Sequence, residues 1–189
     1  PGKNLGAYGE AGAVCTNDDE LALKFKMIRD HGSHEKYIHY SFGHNYRMEA
    51  IQGAVLEVKL NHIDKWTEKR RSAGKLYSKY LSNFSEVVLP VEMDYAKHVY
   101  HLYIIRLRSM DTRNKLQAFL SDNGVSTGLH YPVPLHVQPC FSALGYKKGD
   151  MPVTENLAEC GLSLPMFPDI TEEQIEYTAS IIKDFFIKN

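Results

Sequence analysis

A hydrophobic repeat with helical spacing occupies residues 48–84 and constrains the fold more than any other feature of the chain. Apolar side chains recur there every three or four residues, which is the period of one face of an α-helix. The repeat predicts one long helix, or two nearly continuous helices, of the kind that can bridge two domains. Its members are Met48, Ile51, Val55, Val58, Ile63, Trp66, Leu76, Tyr77, Tyr80, Leu81 and Phe84.

A basic cluster lies within this repeat and has two interpretations. Lys65, Lys69, Arg70 and Arg71 lie close together in the sequence, with Glu68 between them. Such a cluster is typical of a solvated helix face, and it is also compatible with a phosphate-binding patch. The mixture of charges favours the solvated face.

Shorter strand and helix patterns surround this region. Apolar or β-branched runs predict four strands, at residues 11–16, 87–91, 99–107 and 125–129. A capping box at Asn17 and Glu20 predicts a helix that ends before Gly32. Further helices are predicted at residues 111–123, 152–160 and 171–186, the last with a capping box at its start. Strands that alternate with helices after residue 87 predict a small α/β domain.

Composition excludes several classes of partner. A formal net charge of -1 and a pI near 6.9 give no electrostatic reason to expect nucleic-acid or anionic-membrane binding. No apolar run approaches the roughly 20 residues that span a bilayer. The three cysteines include no C-x-x-C pair, which predicts reduced thiols of a cytosolic protein. A small molecule is therefore the expected partner.

A lysine lies among glycines at the start of the chain, in the segment Pro1-Gly2-Lys3-Asn4-Leu5-Gly6-Ala7-Tyr8-Gly9. Glycines let the backbone approach a ligand closely, so the loop suggests either phosphate binding or covalent chemistry at the lysine amine. A P-loop requires serine or threonine after the lysine, and asparagine is found there instead. A surface turn with a solvated lysine remains the alternative.

Further motifs follow the lysine loop in order along essentially the whole chain. They are Arg29-Asp30-His31-Gly32, Gly43-His44-Asn45-Tyr46-Arg47, Gln52-Gly53-Ala54, His98-Val99-Tyr100-His101-Leu102-Tyr103, His130-Tyr131-Pro132-Val133-Pro134-Leu135-His136 and Leu162-Ser163-Leu164-Pro165-Met166. Together with the lysine loop they resemble the sugar aminotransferases of the DegT/DnrJ/EryC1/StrS family, which use pyridoxal 5′-phosphate (PLP).

The resemblance implies an α/β fold of the type I PLP-dependent transferases, similar to aspartate aminotransferase. It implies the end of a large PLP-binding domain with the lysine loop at residues 1–47, a long bridging helix at 48–86, and a small C-terminal α/β domain at 87–189. Family members carry a long segment before this lysine, with side chains that stack on the cofactor ring and pair with its nitrogen. The chain is therefore expected to be the C-terminal half of an enzyme.

The resemblance also implies an activity, in which an amino group passes from L-glutamate, released as 2-oxoglutarate, to a nucleotide-linked keto sugar. The expected setting is a cytoplasmic homodimer with shared active sites in bacterial surface-polysaccharide or deoxysugar biosynthesis. The segment 130–136 is similar to that of relatives acting at C3 of the sugar. A competing hypothesis is a noncatalytic fragment or interaction module that does not bind PLP alone.

Four residues receive roles from the resemblance. Lys3 is expected to form the Schiff base with PLP and to act as the catalytic base, whereas a sugar-dehydrating branch of the family has histidine at this position. Asn45 matches the residue whose amide reaches the cofactor phosphate of the other subunit, although it also fits a helix N-cap. His130 and Tyr131 match the loop that holds the sugar nucleotide.

Other polar residues have open roles. Arg47 is expected to pair either with a carboxylate of the amino donor or with a structural acid such as Glu49. A metal site made from His130 and His136 would lack a third ligand, so no metal is expected and His136 fits a packing role. His101 is likewise expected to pack in the core or at an interface.

Overall fold

The computed structural model describes residues 2–188. Helices and strands follow one another along the chain, in agreement with the predicted α/β class. The chain divides into two compact units, and the boundary lies between Asp64 and Lys65. The three-part division expected from the resemblance remains a prediction.

The first unit contains helical segments and one hairpin. Its elements are α1 (Asp19–Arg29), β1 (Ser33–Glu35), β2 (Ile38–His39), α2 (Ala50–Leu60) and the first residues of α3 (Ile63–Leu81). The hairpin pairs β1 with β2 in antiparallel orientation, and its register shifts between Ser33 and Glu35. Sequence patterns had not predicted this hairpin, because both strands are short and largely exposed.

The predicted long helical region consists of two helices, so the second of the two sequence alternatives is confirmed. Asn61 and His62 separate α2 from α3. Helix α2 buries none of its residues, whereas α3 buries five, among them Tyr77 and Leu81. No helix within residues 2–188 combines the length and the apolar character of a transmembrane segment.

Helix α1 begins one residue later than the predicted capping box. Asp18 is the N-cap, and its carboxylate accepts a hydrogen bond of 3.0 Å from the backbone N–H of Leu21. The Asp18 N–H in turn donates to the hydroxyl of Thr16. A carboxylate at the N-cap also interacts favourably with the positive end of the helix dipole, which explains why Asp18 takes the position predicted for Asn17.

The prediction of a strand at residues 11–16 is wrong. These residues are exposed and have no regular secondary structure. A β-strand requires a hydrogen-bonded neighbour, and no described segment pairs with this one. The apolar run alone was therefore insufficient to predict a strand.

Two glycines allow the chain after α1 to double back closely on itself. Gly32 has a φ of +75°, and a Cβ on it would lie 1.8 Å from the carbonyl oxygen of Ser41. A Cβ on Gly43 would lie 2.2 Å from the backbone nitrogen of Gly32. Any side chain at either position would force the two segments apart.

The second unit surrounds a two-stranded antiparallel sheet. Its elements are the remainder of α3, β3 (Tyr103–Arg106), α4 (Met110–Asp122), two short 3₁₀ helices (Leu135–Val137 and Pro139–Leu144), α5 (Pro152–Cys160), β4 (Gly161–Leu164) and α6 (Glu172–Lys188). In the sheet Tyr103 is opposite Leu164, and Ile105 is opposite Leu162.

Strand predictions in this unit were only partly correct. The strand predicted at 99–107 is shortened to β3, and those predicted at 87–91 and 125–129 each contribute one isolated bridge, Val88 to Arg106 and Gly128 to Ser163. Strand β4 was not predicted, because its four residues follow α5 directly, and so short a run cannot be told from the end of a buried helix by its pattern alone.

The core of the second unit forms where α3, α4 and α6 pack around this sheet. Tyr77 and Tyr103 stack with ring centroids 4.9 Å apart. The Tyr103 hydroxyl lies 2.9 Å from Ser78 Oγ, and the Tyr77 hydroxyl donates to the Pro165 carbonyl. Other fully buried side chains are Leu81, Ile105, Leu116, Leu120, Leu162, Ile175 and Ile182.

Two arginines of the basic cluster bind backbone carbonyls, so the predicted solvated face is wrong for them. Arg70 is 7% exposed, and its guanidinium donates to the carbonyls of Tyr100, His101 and Met166. Burial lowers the pKa of Arg70. Arg71 donates to the carboxylate of Glu92 and to a backbone carbonyl. The sequence could not predict these contacts, because their partners lie more than twenty residues away.

The three thiols differ in accessibility. Cys15 in the first unit and Cys140 in the second are exposed, whereas Cys160 is buried at the end of α5. None of them forms a disulfide.

Candidate active site

The lysine loop lies against helix α2. Lys3 is exposed in a bend, and its amine has no hydrogen-bond or ion-pair partner among residues 2–188. The Tyr8 N–H donates a 2.9 Å hydrogen bond to Gln52 Oε1, and Lys59 Nζ donates to the Gly6 carbonyl. The loop backbone is therefore held in place while the Lys3 amine stays accessible.

Gln52 and Lys59 make further contacts with the loop. Lys59 Nζ also lies 5.3 Å from the centre of the Tyr8 ring, within range of a cation–π interaction. Gly9 has a φ of +137°, and a Cβ there would lie 2.9 Å from Gln52 Nε2. Sequence reasoning missed both roles. The available signal was the seven-residue spacing, which places Gln52 and Lys59 on one face of α2.

The segment that contains Asn45 pairs with the end of α1. Asn45 forms an isolated bridge with Asp30, and the neighbouring N–H of His44 donates to the Ile28 carbonyl. The Tyr46 N–H donates to the Arg29 carbonyl. These bonds fix the backbone of the segment, and the Asn45 side chain is exposed.

The alternative interpretation of Asn45 as a helix N-cap is wrong. Helix α2 starts at Ala50, and its N-cap is Glu49, whose side chain makes no capping hydrogen bond. The guanidinium of Arg47 pairs with the carboxylate of Asp30, a structural acid other than Glu49, and a contact with the amino donor remains a prediction. That ion pair adds a second connection between this segment and α1.

His130 and Tyr131 lie in the second unit, at the start of a proline-containing loop. His130 Nδ1 is 2.9 Å from Ser163 Oγ, and the peptide bond between His130 and Tyr131 is cis. Tyr131 is 63% exposed. A 3₁₀ helix begins within the segment 130–136, at Leu135. Proline at its N-cap supplies a φ suited to that start.

His136 forms a shielded hydrogen bond with Glu155 of α5. His136 Nε2 and Glu155 Oε1 are 2.9 Å apart, and the two side chains are only 8% and 12% exposed. Burial would raise the pKa of Glu155, but the N–H of Gly149, His136 and the N–H of Met151 together hold that pKa below its ordinary value. In this structure His136 therefore packs against α5 through a polar contact.

The predicted site residues are divided between the two units. Lys3 and Asn45 lie in the first unit, on segments that adjoin α2 and α1, and no hydrogen bond joins their side chains within the described residues. His130 and Tyr131 are neighbours in the second unit. Residues 2–188 contain no group of three or more metal-ligating side chains.

Comparison with known sequences supports the family resemblance. Residues 1–183 match the DegT/DnrJ/EryC1/StrS aminotransferase family. A Geobacillus stearothermophilus protein named pleiotropic regulatory protein is 48% identical over 188 residues, which cover 98% of this chain and 50% of that protein. A Streptomyces venezuelae dTDP-3-amino-3,4,6-trideoxy-α-D-glucose transaminase is 37% identical over 174 residues, 92% of this chain and 45% of that enzyme.

A solved structure shows the same fold. The crystal structure of S. venezuelae DesV, in complex with a ketimine intermediate, has a TM-score of 0.90 and 35% sequence identity, and the match covers 97% of this chain and 49% of that one. The expected fold class is thereby confirmed. The chain spans about half the length of the curated relatives it matches. It belongs to the DegT/DnrJ/EryC1/StrS aminotransferase family.

Proposed function

We propose that this chain carries the lysine-bearing part of a PLP-dependent aminotransferase that moves an amino group from L-glutamate to a nucleotide-linked keto sugar. The observation that carries the proposal is the accessible amine of Lys3, in a glycine-rich loop of a chain that belongs to an aminotransferase family. The 3-amino sugar in the name of the S. venezuelae relative favours C3 as the aminated position. The proposed setting is the bacterial cytoplasm, in polysaccharide or deoxysugar biosynthesis.

Residues of the first unit fit the chemistry that PLP requires. PLP, when bound, supplies an aldehyde that reacts with amines and a ring that stabilises negative charge on an adjoining carbon. Lys3 Nζ, which has no partner among residues 2–188, would hold the cofactor covalently. The exposed side-chain amide of Asn45 would donate a hydrogen bond to a cofactor phosphate, in the site of a second subunit.

Lys3 also has the chemical character of the proton carrier. An uncharged amine accepts a proton from an acidic carbon and returns it at another position, provided that it stays close to both. The hydrogen bonds from Tyr8 and to Gly6 hold the backbone of the loop that carries Lys3. We therefore assign both the covalent role and the proton transfer to Lys3.

The acceptor side of the proposal involves the second unit. Tyr131 offers an exposed aromatic ring and hydroxyl, and His130 contacts Ser163 through Nδ1. Within residues 2–188 its Nε2 has no hydrogen-bond partner and remains a potential contact for a ligand. An aromatic ring next to a polar group suits the base and sugar of a nucleotide sugar. We propose these two residues as contacts of the acceptor.

We further propose that the enzyme works as a homodimer with shared active sites. Large apolar side chains of the first unit are exposed, among them Tyr37, Phe42 and Ile51. Such exposed apolar surface is typical of regions that another polypeptide covers. The competing proposal is that the 189-residue chain by itself does not bind PLP, and it is favoured by the absence of buried residues from α1 and α2.

The first test is to incubate the protein with PLP, reduce it with borohydride and map the labelled peptide by mass spectrometry. We expect the label on Lys3 and a glutamate-dependent transfer to a dTDP-linked 3-keto sugar. Replacing Lys3 by alanine should lower the transfer rate by roughly 10²- to 10⁴-fold or more. Lys24→Ala, at an exposed position of α1, is the matched control and should keep both label and activity.

A label on another lysine, or full activity of Lys3→Ala, would contradict the assignment of Lys3. If the 189-residue chain takes up no PLP but the longer protein that contains it does, the competing proposal is correct for the isolated chain. Absence of amino transfer from glutamate by the longer protein would refute the proposed activity.

A further inference from the structure

The loop of residues 130–137, here called the histidine loop, is anchored near both of its ends by histidine side chains. At the first end, His130 Nδ1 lies 2.9 Å from Ser163 Oγ, and Ser163 is buried in β4. Backbone hydrogen bonds in both directions also join Gly128 to Ser163. A Cβ on Gly128 would lie 2.7 Å from the His130 ring, so glycine is needed for the ring to occupy this place.

The second anchor is the hydrogen bond between His136 and Glu155. The Glu155 carboxylate accepts hydrogen bonds from His136 and from the backbone N–H groups of Gly149 and Met151. One side chain of α5 therefore connects the histidine loop to the turn that precedes this helix. Shielding from water strengthens such a pair, because competition from solvent is reduced.

The residues between the two anchors are presented to solvent. Tyr131, Val133 and Leu135 are all exposed, and they alternate with Pro132 and Pro134. Prolines restrict the backbone, so this segment loses little conformational freedom when a ligand binds. The arrangement is a stiff segment with accessible aromatic and apolar side chains, held in place from both ends.

We propose that His136 and Glu155 are positioning residues that hold the histidine loop in the conformation that binds the nucleotide-linked acceptor. This inference rests on the proposed function and names the residues that control its acceptor side. Neither residue is required to touch the acceptor. Their loss should weaken acceptor binding and leave the reaction with L-glutamate unchanged, because that reaction is assigned to Lys3.

The experiment compares His136→Ala, Glu155→Gln and the double variant with the wild-type protein. We expect His136→Ala to raise KM for the dTDP-linked keto sugar roughly tenfold, the order expected for loss of a charge-assisted hydrogen bond. The kcat and the rate of 2-oxoglutarate formation from glutamate should stay within about twofold. The KM of the double variant for the acceptor should be no higher than that of His136→Ala, because the two side chains act through one shared hydrogen bond.

The matched control is Glu159→Gln, on the same helix, whose partner Lys148 lies on the surface. It should leave every one of these quantities unchanged. Hydrogen exchange of residues 130–138 provides a readout that does not depend on catalysis. We expect exchange there to accelerate in His136→Ala and Glu155→Gln and to stay constant in Glu159→Gln.

Two results would overturn the inference. One is an accelerated exchange of the histidine loop without any change in KM for the acceptor, and the other is an equal loss of the glutamate and acceptor reactions. If neither this chain nor a longer protein that includes it transfers an amino group from glutamate, the proposed function fails, and calorimetric titration with dTDP-glucose then tests the loop directly. Equal affinity of wild type and His136→Ala, or no binding to either, would refute the inference.

Discussion

The two units of the chain differ in what holds them together. Helices α1 and α2 of the first unit bury none of their residues, whereas α3, α4 and α6 supply many of the buried side chains of the second unit. The first unit is organised by backbone hydrogen bonds around Gly32 and Gly43 and by polar contacts such as those of Gln52. Local stability follows the burial of apolar surface, so the lysine loop lies in the part of the molecule that opens more easily.

The sharpest test of this comparison removes one apolar side chain from each unit. Leu162 is fully buried, and its replacement by alanine should lower the free energy of unfolding by about 3 kcal/mol through lost burial and the cavity left behind. Ile51 is 80% exposed, and Ile51→Ala should change that free energy by less than about 0.5 kcal/mol in dilute protein.

Urea denaturation over a dilution series measures both effects. If Ile51→Ala lowers the free energy of unfolding by more than about 0.5 kcal/mol only at concentrations where the protein self-associates, the result would support the proposed dimer. If Ile51→Ala lowers the free energy of unfolding of the monomeric protein by several kcal/mol, α2 must have a buried face. That result would contradict the difference between the two units.

A second prediction concerns the loss of stability at alkaline pH, which should arise from tyrosines in the core of the second unit. Burial raises the pKa of Tyr103 to about 12, and it also raises the pKa of Tyr77. Above pH 10 the unfolded chain loses the Tyr103 proton while the folded chain retains it, so stability should fall between pH 10 and about 12. The slope for one such group is about 1.4 kcal/mol per pH unit.

Replacing Tyr103 by phenylalanine should make this decline shallower, because one of the buried phenols with a raised pKa is gone. Urea denaturation at several pH values between neutrality and the alkaline range measures the slope. An unchanged slope in Tyr103→Phe would show that the decline arises elsewhere in the protein.

The smallest predicted effect lies in the first unit. Gln52→Ala removes the acceptor of the Tyr8 N–H, a contribution of about 1 kcal/mol to local stability. Exchange of the Tyr8 amide with deuterium should therefore become about fivefold faster. Glu57→Ala, at an exposed position of the same helix, is the control and should leave the exchange rate of Tyr8 unchanged.

Local signals predicted helices well and strands poorly. Helix α5 has the predicted bounds, and the capping box of Thr171 and Gln174 forms as expected, because the residues that determine these features are close in the sequence. Strands depend on partners that are distant in the sequence. The run at 87–91 contributes a single bridge, and β4 is a strand only because it pairs with β3.

The candidate site was likewise only partly predictable from local sequence signals. Lys3, Asn45, His130 and Tyr131 were selected through motifs, and their roles remain proposals. The residues that hold the lysine loop and the histidine loop were not predicted, because their contacts join positions that are distant in the sequence. Those contacts span 44 residues for Gln52, 53 for Lys59, 33 for Ser163 and 19 for Glu155.

The distribution of the thiols provides a natural labelling scheme for this molecule. A maleimide reagent should reach Cys15 and Cys140 in the folded protein, one in each unit, whereas Cys160 should react only after the core around α5 has opened. A single engineered change, Cys140→Ser or Cys15→Ser, then leaves one accessible thiol for a fluorescent probe. The opening of either unit can thus be followed separately, without introducing a foreign side chain into the core.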